Sequence, residues 1–584
     1  MKQFLKYTVA STLGVLIAGL ILVLLLFLFA IASMSLSKTA YTPEDKTILH
    51  LKLEGNLTER TQDNPFDFIL GNYLNKDTEI GLDNILSAIK KAKEHPNIKG
   101  IYMEAGMLYA SAASVQEIRT ALEDFKQSGK FIVVYGGTYL QNVYYASTPA
   151  DKVIMNPQGM LYFKGLTVQP MFLKNTLDKL GVDMQIFKVG SYKSATETFS
   201  QDKMSEESRE QVSEYVQSIW EQLLQDISAD RKLPVDSLQH YADKMIVFQP
   251  AETVVSCGLV DTLMYANDVI DMLKEKVGLK KSDKIKLASI KEVASIEDKE
   301  SNEKNKIAVV YATGAIDDGS SNGINSDKLI RDLKKIKENE EIKAVVLRIN
   351  SPGGSAYGAE QIWQAINNIK EKKPVVVSMG DYAASGGYYI AAPANYIFAQ
   401  PTTLTGSIGI FGIMPNMSGL YDKIGLSFDQ VKTNKFSDMP NESRAMTEEE
   451  KAIMQRYVEN GYNLFLSRCA TGRNVSKDSI NTIAQGRVWT GEKALKIGLV
   501  DGLGNLQDAI KKAAELADIE KYNTINYPEV KDFFTSLLSD FETSVEKRYM
   551  EKALANKYKL YDYIHNIQSM DYLQARLPFE VVVD

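Results

Sequence analysis

Ser385 stands in the run GDYAASGGYY, residues 380–389, among small residues and directly before Gly386 and Gly387. A β-rich run precedes it and a helical pattern follows. A serine at such a helix start is placed where the helix dipole favours developing negative charge. One strand–helix unit earlier comes RINSPGG, residues 348–354. Its paired glycines let backbone N–H groups face a cleft. Backbone donors of this kind hold the oxyanion of an attacked carbonyl, and losing one typically costs about 2.7–4 kcal/mol of barrier. Alone, the serine reads as a helix cap; with the second Gly-Gly loop it reads as a nucleophile.

Such a nucleophile needs a base. The four histidines, His50, His95, His240 and His565, lie away from every glycine turn. Triads do assemble from distant positions, but this chain gives one poor raw material. The other common base is a lysine, whose ammonium must be desolvated until its pKa falls toward neutrality.

Candidates for that lysine come from an internal repeat. LDNILSAIKKAKEHPNIKG (82–100) lies over SDKLIRDLKKIKENEEIKA (326–344), and LDKLGVDMQIFK (177–188) over YDKIGLSFDQVK (421–432), with a constant offset of 244. The register needs no gap from about 82 to 193. This is duplication of a whole domain rather than a solenoid, whose periods are about 20–50 residues. In the first copy Gln141 replaces Ser385, and Tyr109 and Ala110 replace Gly353 and Gly354. That copy should be catalytically dead. It carries Lys193, however, where the second copy has Ser437. The complementary losses make Lys193 the leading base, with Lys435 as the alternative.

Both copies alternate short β-branched runs with amphipathic helical patterns. Such patterning predicts α/β architecture with parallel sheets covered by helices. In the second copy strands are expected at 307–314, 342–350 and 374–380, and helices at 326–338, 357–371 and from 385. The expected organisation is an anchor and short linker at 1–45, a first repeat at 46–290 and a charged linker at 291–306. A second repeat at 307–520 and a helical tail at 521–584 follow. The anchor is expected because residues 14–32 are almost wholly apolar and 7–33 carry no charge. About 20 such residues cross a bilayer as one helix. Lys2 and Lys6 before it place the N-terminus inside and the rest outside. The net charge of −7 and the lack of a basic block argue against nucleic acid. Cys257 and Cys469 form no ligand cluster and are expected as separate thiols.

Four motifs together, SYKSATE (191–197), RINSPGG, GDYAASGGYYIA and TGSIGIFG (405–412), resemble the long, duplicated members of the signal peptide peptidase A (SppA) family. These are membrane-anchored bacterial serine proteases, and the likeness runs from the anchor to about residue 515. It implies two tandem crotonase-like domains, a fold shared with the Clp protease proteolytic subunit. It also implies a Ser/Lys dyad split between the halves, with Ser385 as nucleophile and Lys193 as base. Oxyanion donors would be the backbone N–H of Gly386 and of the PGG loop, Gly353 before Gly354, and Ser407 would help orient the lysine. The resemblance implies no metal or organic cofactor, and a homotetrameric bowl on the bacterial inner membrane with residues 8–33 in the bilayer. The catalytic domains would face the periplasmic side, degrading hydrophobic peptides such as remnant signal peptides. One departure, ATETF (195–199), lacks a proline the family often has after the glutamate. The competing readings are an acyl-CoA enzyme of the same fold and a non-catalytic membrane scaffold.

Overall fold

The computed structural model describes residues 41–61, 79–297, 303–317, 323–529 and 573–577, with parts of 3–22. Positions 23–40 of the expected anchor and 530–572 of the expected helical tail lie outside the described residues. Among the described residues no helix is long and apolar enough to cross a membrane.

Each repeat builds its own sheet. In the first, the parallel strands run in the order Glu79–Gly81, Thr47–Thr58, Ile98–Tyr109, Phe131–Tyr139, Lys152–Leu161, Thr262–Leu263. In the second, the order is Val488–Thr490, Leu404–Gly406, Val375–Ala384, Ile342–Ser351, Lys306–Thr313, Asn523–Tyr527, all parallel except the first pair. The central strands are β-branched runs such as Val375-Val376-Val377, buried on both faces, as helix-covered parallel strands must be. The helices Ser326–Glu338 and Ala356–Lys370 send Leu329, Leu333, Ile336, Ile362 and Ile366 into one core. Each repeat also carries a 26-residue helix, Glu206–Arg231 and Glu448–Arg473. Both start on a side-chain cap, Ser205 or Thr447, and both end on a left-handed residue, Lys232 or Asn474.

A third, antiparallel sheet joins the two lobes. Its order is Gly353–Ser355, Gln574–Arg576, Phe411–Asn416, Asp183–Lys188. Asp183–Lys188 comes from the first lobe and pairs over six residues with Phe411–Asn416 of the second, Lys188 opposite Phe411. The C-terminal strand Gln574–Arg576 lies between Phe411–Asn416 and the glycine loop.

A buried ion cluster forms a second bridge between the lobes. Arg348, fully buried, donates from Nε and Nη2 to both carboxylate oxygens of Glu59 (2.9 and 3.1 Å) and from Nη1 to Glu117 Oε1 (2.6 Å). Asn350 Nδ2 donates to Glu59 and Asp381, and Asp381 accepts from the Ser114 hydroxyl and N–H. Burial pushes the Glu117 carboxyl up to about 7, Glu59 and Asp381 adding to the rise against the pull of Arg348.

Candidate active site

The strand Val375–Ala384 runs directly into Ser385, longer than the expected 374–380, and the helix Gly386–Ala391 starts one residue later. This sharp strand-to-helix turn holds Ser385 at φ +54°, a left-handed conformation rare for a non-glycine residue. Its N–H donates to Gly406 O (2.8 Å), so the turn is fixed by the TGSIG segment beside it. Ser407 on that segment also has positive φ (+49°).

Lys193 reaches this turn from the other lobe. Its Nζ lies 2.7 Å from Ser385 Oγ and 3.1 Å from both Ser407 Oγ and the Ser407 carbonyl oxygen. Lys193, Ser385 and Ser407 are each 0% exposed. The amine sits 6.0 Å from the Phe411 ring centroid, and burial pushes its pKa well below the usual lysine range. Its aliphatic stem is sheathed by glycines. A methyl on Gly409 would lie 3.1 Å from Lys193 Cδ, and one on Gly486 would collide with Lys193 Cα and Cβ. Gln211, on the helix Glu206–Arg231, braces both sides of the lysine. Its Nε2 donates to Tyr192 O and Ser194 Oγ, and its Oε1 accepts from Val488 N in the second lobe.

The sequence-derived partners of Ser385 thus separate cleanly. Lys193 and Ser407 meet it. Lys435 is exposed and pairs with Glu449, and Ser437 bonds only within its own turn. His50 pairs with Glu104, His95 Nδ1 accepts from Asn97 N, and His565 lies outside the described residues. In the first lobe Gln141 fills the place of the nucleophile. Its Oε1 accepts from Lys164 N and Gly165 N (both 3.0 Å), closing the turn onto itself. Cys257 and Cys469 are both free thiols.

The glycine loop faces the same turn. Gly353 and Gly354 have φ of +99° and +153°. Gly353 N–H donates to Ser351 Oγ (3.2 Å), within its own loop. Gly354 stands opposite Ala575 of the C-terminal strand. A methyl on Gly353 would overlap the Ala575 carbonyl oxygen, and one on Gly386 would lie 3.1 Å from it and 3.2 Å from Gly354 N. Glycine is therefore required here so that an extended peptide can pass. Ala575 and Leu577 of that strand are buried, each in a different lobe's core.

Sequence reasoning missed Gln211 and the Arg348 cluster. The only local trace of the cluster is that Arg348, Asn350 and Asp381 belong to the quoted glycine motifs.

A serine, a buried amine and a peptide-width groove point to peptide-bond hydrolysis, and the comparisons agree. Residues 124–280 and 367–520 match Peptidase family S49, once in each repeat, and residues 301–404 match Clp protease. The chain belongs to peptidase family S49. It is a serine peptidase with tandem S49 domains. Protease 4 of Salmonella typhi is 36% identical over 80% of this chain and 77% of its own length. Protease 4 of Haemophilus influenzae is 33% identical over 80% and 77%. The chloroplastic serine protease SPPA of Arabidopsis thaliana is 31% identical over 78% and 69%.

Proposed function

We propose that this S49 peptidase works through a Ser385/Lys193 dyad divided between its lobes, and degrades hydrophobic peptides such as cleaved signal peptides. The observation that carries the dyad is the 2.7 Å contact between Ser385 Oγ and a wholly buried Lys193 amine. Neutral Lys193 has one lone pair and two N–H groups. The N–H groups donate to the Ser407 carbonyl and hydroxyl oxygens, which aims the lone pair at the Ser385 hydroxyl. Ser407 is a positioning residue in this scheme. Lys193 takes the proton as Ser385 attacks the peptide carbonyl, then gives it to the leaving amine. Water, deprotonated by the same lysine, hydrolyses the acyl-enzyme.

The tetrahedral oxyanion is held by the N–H groups of Gly386 and Gly354. Gly353 N–H is already engaged by Ser351, which favours Gly354 over Gly353 as donor. Gly353 instead supplies the missing side chain that lets the substrate backbone approach. Substrate enters as an extended strand in the place held by Gln574–Arg576, which favours a peptide over an acyl-CoA.

On this reading residues 46–290 supply the base, 307–520 the nucleophile, 291–306 the link between them, and 521–584 the tail. Residues 8–33 anchor the chain in the bacterial inner membrane with both lobes on the periplasmic side, within 1–45. The chain assembles as a homotetramer without metal or cofactor. A fluorophosphonate probe and a fluorogenic hydrophobic peptide test the dyad. Labelling should fall on Ser385 and vanish in Ser385→Ala. Turnover should be lost in Ser385→Ala and Lys193→Ala and retained in Lys435→Ala. Full turnover by Lys193→Ala refutes the split dyad.

A further inference from the structure

The two lobes meet through a strand pair that can be made only once within one chain. Asp183–Lys188 of the first lobe pairs with Phe411–Asn416 of the second. By the repeat offset, the equivalents of these two segments are 427–432 in the second lobe and 167–172 in the first. Both equivalents are described, and neither is paired or strand-forming. One chain therefore has a used pair in its middle and an unused half-pair at each end.

The unused halves show what the used pair covers. Val182 and Phe187 are 7% and 5% exposed under the second lobe, while their counterparts Leu426 and Val431 are 49% and 100% exposed. Phe428, Ile424 and Met171 are also bare, at 60%, 60% and 69%. The backbone is already shaped for the contact. Gly181 and Gly425 close equivalent helices, Lys174–Leu180 and Ser418–Lys423, with φ of +83° and +78°. Gly181 abuts Gly419 of the other lobe; around Gly425 there is nothing within 4 Å.

We propose that residues 427–432 of one chain pair antiparallel with residues 167–172 of a second copy, repeating between subunits the junction made within each. It gives a structural form to the self-association proposed above, on which it rests. The observed pairs Phe411–Lys188, Gly412–Phe187 and Ile413–Ile186 become Thr167–Lys432, Val168–Val431 and Gln169–Gln430. Pro170 removes one ladder donor, as Pro415 does one position along in the observed pair. The contact is head-to-tail, so repetition closes a ring in which lobes of the two kinds alternate. At the new junction the dyad positions hold Ser437 and Gln141, so it adds no second active site.

The test uses the full chain in detergent, in a Cys257→Ser background. Gln169→Cys and Gln430→Cys chains are co-expressed and treated with a short bismaleimide, which alkylates one thiol on each chain. A cross-linked dimer should form from the mixture and from neither variant alone. Val431→Asp, at a fully exposed position, should lower the mass seen by light scattering while leaving the circular dichroism spectrum unchanged. A wild-type multimer that gives no 169–430 link overturns this interface but leaves self-association standing. A wild-type monomer at micromolar concentration overturns both. Linking of Gln430→Cys to itself replaces the head-to-tail contact with a two-fold one and also overturns it.

Discussion

Replacing Lys193 with methionine separates the two consequences of burying an amine. Methionine fits the glycine-lined channel that sheathes the lysine stem and carries no proton. A positioned general base contributes about 10²–10⁴ in rate, so kcat/KM should fall at least about 10³-fold, or about 4 kcal/mol of barrier. Stability should move the other way. Burial holds the folded pKa of Lys193 well below that of an exposed lysine. Between those two values the unfolded chain binds one proton more than the folded chain. Wild-type stability therefore falls as pH drops through that window, by up to about 1.4 kcal/mol per unit, and levels off below the folded pKa. The methionine variant lacks this loss. Against it stands the Ser407 carbonyl, left without its donor at a cost of about 1–3 kcal/mol. Relative to wild type, Lys193→Met should be less stable near pH 10 and gain steadily toward neutrality. Urea unfolding at pH 6–10 alongside peptide turnover measures both. Wild-type turnover, or a stability difference flat across that range, refutes a neutral catalytic lysine.

Three further outcomes follow from the geometry. Ser407→Ala removes one of two acceptors that aim the amine, so kcat should fall about 10–100-fold with KM little changed; rescue by Ser407→Thr separates positioning from packing. Arg348→Met leaves Glu59, Glu117 and Asp381 buried without their cation, and should cost about 3–5 kcal/mol in chemical unfolding at pH 8. The cost should be smaller below pH 7, where Glu117, pushed up to about 7, binds a proton. Deleting residues 573–584 frees the strand position beside Gly353–Ser355, so KM for a short peptide should fall; an unchanged KM refutes competition by the tail.

What was legible in the sequence was whatever is local or repeated. The expected helix at 326–338 is found at Ser326–Glu338, and the strand expected at 342–350 is Ile342–Ser351, because both bury apolar residues at a regular period. The offset of 244 was legible for the same reason, and it singled out Lys193 by what each copy had lost. The third sheet was not legible. Its strands Gly353–Ser355 and Gln574–Arg576 are three residues each, polar or glycine-rich, and form only because a partner chain segment lies alongside. Nor could composition show that Arg348 answers Glu59, 289 positions away. Such pairs leave no periodic trace, since each member sits in an otherwise ordinary strand or helix. The choice between Gly353 and Gly354 was hidden too, because it turns on where one N–H points.

Dividing the dyad between lobes also solves a physical problem. A lysine must be in its neutral form to act as base, and exposed lysines are protonated at physiological pH. Within its own lobe Lys193 would be on a surface. What removes it from water is the second lobe: Phe411, Gly409, Gly486 and the turn bearing Ser385. The base is thus activated by the same docking that delivers the nucleophile. No carboxylate contributes to lowering its pKa; burial is the only cause. The carboxylates instead cluster around Arg348, on the lobe junction but outside the dyad, where they hold the two lobes together. Keeping the ionic fastening apart from the dry catalytic contact lets the junction be strong without recharging the lysine. A carboxylate moved beside Lys193 would tighten the lobes and raise the amine's pKa at once, trading the base for a salt bridge.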